Sequence, residues 1–419
     1  MFRQREIPPT AGLPLRWRDL LYPGRADLAQ EIARWLAIPE PALTCSGTAA
    51  LIVALRTLQA LSPERNRIIV PAYTCPLVAL ATFYCSPLHV EVCDLHPGSI
   101  DMDEDALRQQ CDEKTLAIVV THLAGRVTNV KAAKHIAQTA GCYVIEDAAQ
   151  AMGARNAAGQ SVGLEGDIGF FSMAFGKGLT TAEGGVLFSH DPQLHQVLRK
   201  QTRAQLSFSL LWEIRRCVEL WGYTWFYHPR RFYPVYGRSL RRMLAQGDEI
   251  GAVGDGFTVR DIPLHSLGRY RQRVGAGALT RLPEYQQQAR ERALRRIVQL
   301  RELDGVEVPG DKEGERGIWP FLMVIMPNQA SRDEALAKLW TAGQGVTRLF
   351  IRPLSGYQNV VPLLFGDTAA PNASDFAART LSVTNSHWLD DVTFQEILAV
   401  LRQAAASVPP AVVNSLQQA

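Results

Sequence analysis

Phe171–Ser189 reads FSMAFGKGLTTAEGGVLFS. A strand-like apolar run ends at Ser172, a loop rich in Gly and Thr follows, and a second strand-like run begins at Gly185. The loop holds one lysine, Lys177, between Gly176 and Gly178. The whole chain has seven lysines among 44 basic residues, so this one asks for a reason. It is a solvated loop residue, a phosphate-binding lysine, or a lysine that forms a covalent bond. The phosphate-loop pattern G-x-x-x-x-G-K-[ST] is tested directly, because it requires Gly at 171 and Ser or Thr at 178. The chain has Phe171 and Gly178, and the pattern fails at both ends.

Outward from this loop, the preceding 130 or so residues alternate β-rich runs with helical periods. Ala42–Cys45 leads into SGTAALIVALRTLQAL, whose apolar residues recur at three and four. RIIVPAY, HVEVCDL, LAIVVTHL and CYVIEDAA follow as strands, separated by helical segments at Asp103–Cys111 and Asn129–Thr139. These runs are nearly continuous in Val, Ile and Leu. That suits strands covered on both faces, as in a parallel sheet between helices. The fold class expected is α/β with a mainly parallel sheet.

Residues 199–246 break the rhythm with an insert rich in Arg, Trp, Tyr and Phe. Such a composition serves a membrane-interface helix or a protein interface, or packs on its own domain or a partner subunit. Gly247–Gly256 reads as a loop, and Tyr270–Leu303 as one long charged helix. Strands at Ile318–Met326 and Gly345–Ile351 and helices at Ser331–Ala342 and Asp391–Ala404 make a smaller α/β part. The organisation expected is an N-terminal arm (1–24), a large domain (25–260) carrying the insert, a connecting helix (261–303) and a small C-terminal domain (304–419).

Composition narrows the classes of function. A net charge of +3 over 419 residues gives no support to nucleic-acid binding. No apolar run spans a bilayer, and the start MFRQREIPPTAGLPLRW lacks the apolar core of a signal peptide. The seven cysteines form no C-x-x-C pair, which fits free thiols in a reducing cytoplasm and argues against a metal site.

Three features fall at strand ends, where open α/β sheets bind ligands. Ser46-Gly47-Thr48 opens a helix, whose free N–H groups and dipole suit a phosphate, although the same residues serve as an ordinary N-cap. Glu146-Asp147-Ala148-Ala149-Gln150 ends a strand, where Asp147 can face a protonated heterocyclic nitrogen and Glu146 the opposite side. Ser172 and Lys177 complete the set. Pyridoxal 5'-phosphate needs an amine to bond its aldehyde, an acid to keep its ring nitrogen protonated, and a phosphate cradle. Lys177, Asp147, and Ser172 with Gly47 and Thr48 supply one of each.

In this order SGTAAL, VPAYT, THLAG, VIEDAAQAMGA and GDIGFFSMAFGKGLTTAEGG resemble the DegT/DnrJ/EryC1/StrS family of pyridoxal-phosphate-dependent sugar aminotransferases. The resemblance covers roughly residues 25–200 and returns faintly at GQGVTRLFIRPLSGY and LSVTNSHWLDDVTFQEILAVL. It implies the aspartate aminotransferase fold (fold type I): a seven-stranded, mainly parallel sheet and a smaller C-terminal α/β domain. It makes Lys177 the cofactor-bonding lysine and Asp147 the pyridinium partner. Gln150 becomes a contact of the ring hydroxyl, with Ser172, Gly47 and Thr48 at the phosphate. A homodimer in the cytoplasm is implied, with an amino-acid donor such as glutamate and a nucleotide-linked keto sugar as acceptor.

The chain also departs from the family. Cys75 stands where members stack an aromatic ring, Met152 where many have His, and Ile262–Tyr270 lacks the Asn that reaches the neighbouring subunit. His122 and Arg348 are candidate substrate contacts, with Arg352 a further arginine and Asp94 a structural acid. Other readings stay open: the same chemistry on a cyclitol or other non-sugar ketone, or a non-catalytic cofactor-binding regulator. Residues 199–246 offer a contact to a membrane face or a pathway enzyme.

Overall fold

The computed structural model describes residues 5–407. Residues 1–4 of the expected arm and 408–419 of the expected small domain lie outside them. The chain enters through α1 (Trp17–Leu21) and α2 (Leu28–Leu36), then passes into β1 (Ala42–Thr44) and α3 (Gly47–Leu61). Ser46 caps α3, its Oγ accepting from Ala49 N at 3.0 Å. From there strand and helix alternate: β2 (Arg67–Pro71), α4 (Pro76–Tyr84), β3 (His89–Cys93), α5 (Glu104–Gln110), β4 (Thr115–Thr121), α6 (Val130–Ala140) and β5 (Tyr143–Asp147). Two further strands, β6 (Ile168–Ser172) and β7 (Gly185–Phe188), flank the lysine loop.

These seven strands form one sheet in the order β1-β7-β6-β5-β4-β2-β3. Pairing is parallel from β3 through β2, β4 and β5 to β6, and antiparallel where β7 meets β6 and β1. All seven residues of β4 are buried, which is why its sequence reads as a continuous apolar run without alternation. The C-terminal ends of β4, β5 and β6 lie side by side, with Thr121 opposite Asp147 and Asp147 opposite Phe170.

After β7 the chain runs through α7 (Pro192–Gln205) into the inserted helices α8 (Leu210–Phe226), α9 (Pro229–Phe232) and α10 (Arg238–Ala245). The expected loop at Gly247–Gly256 contains a short helix, α11 (Glu249–Val253). Asp248 caps it by accepting from Gly251 N, and Gly254 ends it with φ 81°. The single helix expected over Tyr270–Leu303 is two helices, α12 (Arg269–Leu279) and α13 (Leu282–Arg301). Pro283 sits in the first turn of α13, where its missing N–H costs nothing, and the chain restarts there instead of continuing. The C-terminal part folds as an antiparallel sheet in the order β8-β10-β9, from β8 (Phe321–Ile325), β9 (Val346–Thr347) and β10 (Thr380–Thr384). Helices α14 (Gln329–Leu339), α15 (Pro371–Arg379) and α16 (Asp391–Ser407) complete it. Among the described residues no helix is long and apolar enough to cross a membrane.

The insert packs on one side only. Glu213 is buried and ion-paired with Arg271 of α12, and Tyr223 stacks on Tyr227 with ring centroids 4.3 Å apart. On its outer side α8 leaves Leu211, Ile214, Val218, Trp221 and Trp225 exposed, with Trp17 of α1 against both tryptophans.

Candidate active site

A depression of about 930 Å³ lies between α8 and residues 266–272. It is apolar, and its one carboxylate, Glu213, is already held by Arg271. The reactive groups gather instead in a cavity of about 410 Å³ at the C-terminal ends of β5 and β6, beside the start of α3.

Lys177 lines this cavity, and its amine makes no hydrogen bond or ion pair among the described residues. Enclosure pushes its pKa down, and Cys75, Asp147 and Asp255 partly oppose that. The loop that carries it is clamped by the N-terminal arm. Leu13 N donates to Gly178 O at 2.9 Å, and Gly176 takes φ 78°, where a Cβ would lie 2.5 Å from Thr10 Oγ1. The insert holds the arm in turn. Tyr227 Oη accepts from Gly12 N at 3.0 Å and donates to Thr10 O at 2.8 Å, while Tyr223 stacks on Phe175 of the lysine loop.

Asp147 ends β5 and is 5% exposed. Burial raises its pKa against the pull of the Ala149 N–H, Lys177 and His122. Its Oδ1 accepts from Ala149 N at 3.0 Å. Glu146 points the other way, as alternation along a strand requires. It accepts from Gly163 N at 2.6 Å, Gly166 N at 2.5 Å and His122 Nε2 at 2.8 Å. Burial works to raise its pKa, but these donors outweigh it and hold the carboxyl below its usual range.

Gly47 and Thr48 line the cavity at the N-terminus of α3, and their N–H groups meet no acceptor among the described residues. A Cβ on Gly47 would stand 3.1 Å from Cβ of Ser172, so glycine is what lets the helix start approach the end of β6. Ser172 also lines the cavity. Gln150 also lines the cavity; its Oε1 accepts from Ala124 N at 2.8 Å, and its amide NH₂ has no partner among the described residues. The arrangement can hold an anion at the start of α3, a protonated ring atom near Asp147 and an electrophilic carbon at Lys177. Among the described residues no cluster of three His, Cys, Asp or Glu is arranged to bind a metal.

Two candidate substrate contacts are placed elsewhere. His122 is fully buried and does not line the cavity. Its Nδ1 accepts from Thr128 N at 3.1 Å, which leaves Nε2 as the donor to Glu146. Arg348 is also buried away from the cavity. It is bound to Glu249 Oε2 at 2.8 Å and to the carbonyls of Ile351 and Ala377 at 2.7 and 2.9 Å. Its bidentate capacity is used inside the fold, where a sequence reading cannot see the acceptors. Asp94 is structural: it accepts from Asn372 N and Ala373 N at the start of α15.

Sequence reasoning missed Asp255. This residue follows α11, lines the cavity, is 6% exposed and accepts from Tyr357 Oη at 3.0 Å. Burial pushes it up to about 7, against the hydrogen bond from Tyr357 and the charge of Lys177. In GDEIGAVGDG it reads as a turn residue, and only the return of the insert to the sheet gives it a role.

The family model described as the DegT/DnrJ/EryC1/StrS aminotransferase family matches residues 13–208, the stretch that carries β1 to β7 and the lysine loop. Over that stretch the chain is similar to this family. A UDP-N-acetyl-3-dehydro-alpha-D-glucosamine 3-aminotransferase from Acidithiobacillus ferrooxidans is 36% identical over 179 residues, 42% of this chain and 47% of that protein. An L-glutamine:2-deoxy-scyllo-inosose aminotransferase from Streptomyces kanamyceticus is 37% identical over 150 residues, 36% of this chain and 34% of that protein. The chain thus spans less than half the length of either of these curated relatives. The solved structure of PseC, a Helicobacter pylori aminotransferase involved in the biosynthesis of pseudoaminic acid, superposes with a TM-score of 0.72 at 18% identity. The match covers 96% of this chain and 100% of that one. The fold is therefore that of the fold type I aminotransferases, as the family resemblance implied. Outside the family match lie the insert beyond Phe208 and the whole antiparallel C-terminal sheet.

Proposed function

We propose that this DegT/DnrJ/EryC1/StrS protein is a pyridoxal-phosphate-dependent aminotransferase. It would move an amino group from an amino acid, glutamate first, to the keto group of a nucleotide-linked deoxysugar. The observation that carries this reading is the amine of Lys177, unpaired among the described residues in a cavity that also holds Asp147 and the start of α3. The cofactor supplies an electron-accepting ring that stabilises negative charge at the substrate carbon. Asp147 would hold the proton on the ring nitrogen, and Gly47, Thr48 and Ser172 would seat the phosphate. Gln150 offers its amide NH₂ to the ring hydroxyl. Lys177 would supply the amine that bonds the cofactor aldehyde and the base that moves the proton at the reacting carbon.

Similarity to an inosose aminotransferase supports a second acceptor, a polyhydroxylated cyclic ketone without a nucleotide. One experiment orders these readings. The purified protein is loaded with pyridoxal phosphate and given glutamate or glutamine. Loss of the visible band marks the donor half-reaction, and its return on adding a UDP- or TDP-linked keto sugar, or 2-deoxy-scyllo-inosose, identifies the acceptor. A band that no amino acid changes would favour a cofactor-binding regulator and overturn the enzymatic reading.

The proposed assembly is a homodimer. The apolar outer side of α8 with Trp17 supports it, since a solvated helix face rarely carries Leu211, Ile214, Val218, Trp221 and Trp225 together. Sedimentation velocity of the wild type and of Trp221→Ser/Trp225→Ser tests it, and co-sedimentation with anionic vesicles tests the membrane alternative for the same face.

A further inference from the structure

The lysine loop is met by two carboxyls that come from different parts of the chain. Asp147 rises from the end of β5, within the sheet. Asp255 arrives from the segment after α11, with Val253, Gly254 and Phe257 beside it on the cavity wall. The two are held differently. Asp147 is oriented by the Ala149 N–H at its own turn. Asp255 is tied to the C-terminal half: Tyr357 Oη donates to its Oδ2 at 3.0 Å and itself accepts from Ile351 N at 3.1 Å. The other oxygen of Asp255, Oδ1, has no hydrogen-bond partner among the described residues, although the residue is only 6% exposed. A carboxyl with one oxygen held by Tyr357 and the other without a hydrogen bond among the described residues thus shares a cavity with an amine that has none.

We propose that Asp255 is a positioning residue for Lys177: its carboxylate is the counter-charge that holds the free lysine amine protonated in the cavity, leaving Asp147 for the ring of a bound ligand.

The other groups around the amine do not replace it. Cys75, on the same cavity, is pushed up to about 12 by burial and by Asp255, and stays a neutral thiol. Glu183 also lines the cavity but is ion-paired with Arg216 at 2.9 Å. Tyr73 spends its hydroxyl on the backbone of Phe350, and Arg348 is bound to Glu249. His122 bears on Asp147 and not on the amine. The acid that remains for Lys177, besides Asp147, is Asp255, and Lys177 in turn draws the Asp255 carboxyl toward its charged form.

The proposal gives the long connection before α12 a task at the site. Lying on the cavity wall beyond residues 13–208, it adds a second carboxyl to the one that β5 supplies. Its consequence for transamination rests on the reading above, but the pairing itself is tested on the cofactor-free protein. The pH dependence of Lys177 modification by trinitrobenzenesulfonate, read by peptide mass spectrometry, reports the fraction of neutral amine. In Asp255→Asn the ammonium loses its counter-charge, so labelling should set in lower by roughly one pH unit, the usual effect of an adjacent opposite charge. Tyr357→Phe removes the donor that favours the charged carboxyl, and should move the midpoint the same way by less. Asp255→Glu should restore most of the wild-type midpoint. Midpoints unchanged in both Asp255→Asn and Tyr357→Phe would overturn the proposal, and Tyr357→Phe decides it alone if the Asn protein does not fold. A cofactor that never binds would sink the proposed activity while leaving the labelling result to stand.

Discussion

His122 Nε2 donates to Glu146 Oε2 across 2.8 Å, with both side chains sealed from solvent. The pair lies behind the sheet edge that carries Asp147, and the two backbones are joined as well, since His122 N donates to Asp147 O at 2.9 Å. Its role is to fix the end of β5. His122→Ala should therefore destabilise the fold by about 2–4 kcal/mol, because it leaves a buried carboxylate one donor short. Chemical denaturation at pH 7 measures this.

The same carboxylate makes stability depend on acid. The pKa of Glu146 is held below its unfolded value of 4.5, so its contribution is present above pH 4.5 and is lost as pH falls through the folded value. In Glu146→Gln that acid-dependent loss should shrink, with lower stability at neutral pH. Melting temperatures followed from pH 7 to pH 3 check both parts.

Asp255 has the opposite sign. Its carboxyl is raised from 3.8 to about 7, so its contribution to stability is full below pH 3.8 and is lost as pH rises through 7. Replacing it with Asn should raise stability at pH 8 by at most roughly 4 kcal/mol, seen as a higher melting temperature, and leave it little changed near pH 4. Equal melting temperatures at pH 8 would contradict the burial assigned to this group.

Gly47 is required by space, not by backbone conformation. In Gly47→Ala the new methyl meets Ser172 Cβ at 3.1 Å, which presses on the start of α3 where the phosphate would sit. The expected result is a cofactor Kd raised roughly tenfold or more, with a melting temperature close to wild type. Lys177→Ala, in contrast, should abolish borohydride trapping of the cofactor and cut turnover by about a thousandfold. Trapping that persists at residue 177 variants would place the covalent bond elsewhere.

Arg348 separates a structural arginine from a substrate contact. Its three acceptors, Glu249, Ile351 O and Ala377 O, predict that Arg348→Ala loses about 2–4 kcal/mol of stability. KM for the keto acceptor should stay within about twofold of wild type in the folded fraction, a difference of less than 0.5 kcal/mol.

What could be read in the chain follows the range of each signal. Apolar runs report burial on both faces, so β2 to β6 and the parallel sheet were legible. The grouping of Lys177, Asp147, Gln150, Ser172, Gly47 and Thr48 was legible too, because every one lies at a strand end or on the loop beside it. Helix breaks were less so: Pro283 is an ordinary first-turn residue once the break at Thr280–Arg281 is known, and carries no warning before.

The sequence by itself determined the alternation of strand and helix, the placing of Lys177, Asp147 and Ser172 at strand ends, and the likeness of residues 13–208 to one family. Those properties depend on periodicity and on neighbours within a few positions. Only the tertiary structure decided which polar groups meet. It buried His122 against Glu146, spent Arg348 on Glu249, and brought Asp255, 78 positions after Lys177, to the same cavity with Tyr357 behind it. A buried charge is settled by the partner that long-range packing supplies, and that partner leaves no mark in the local pattern.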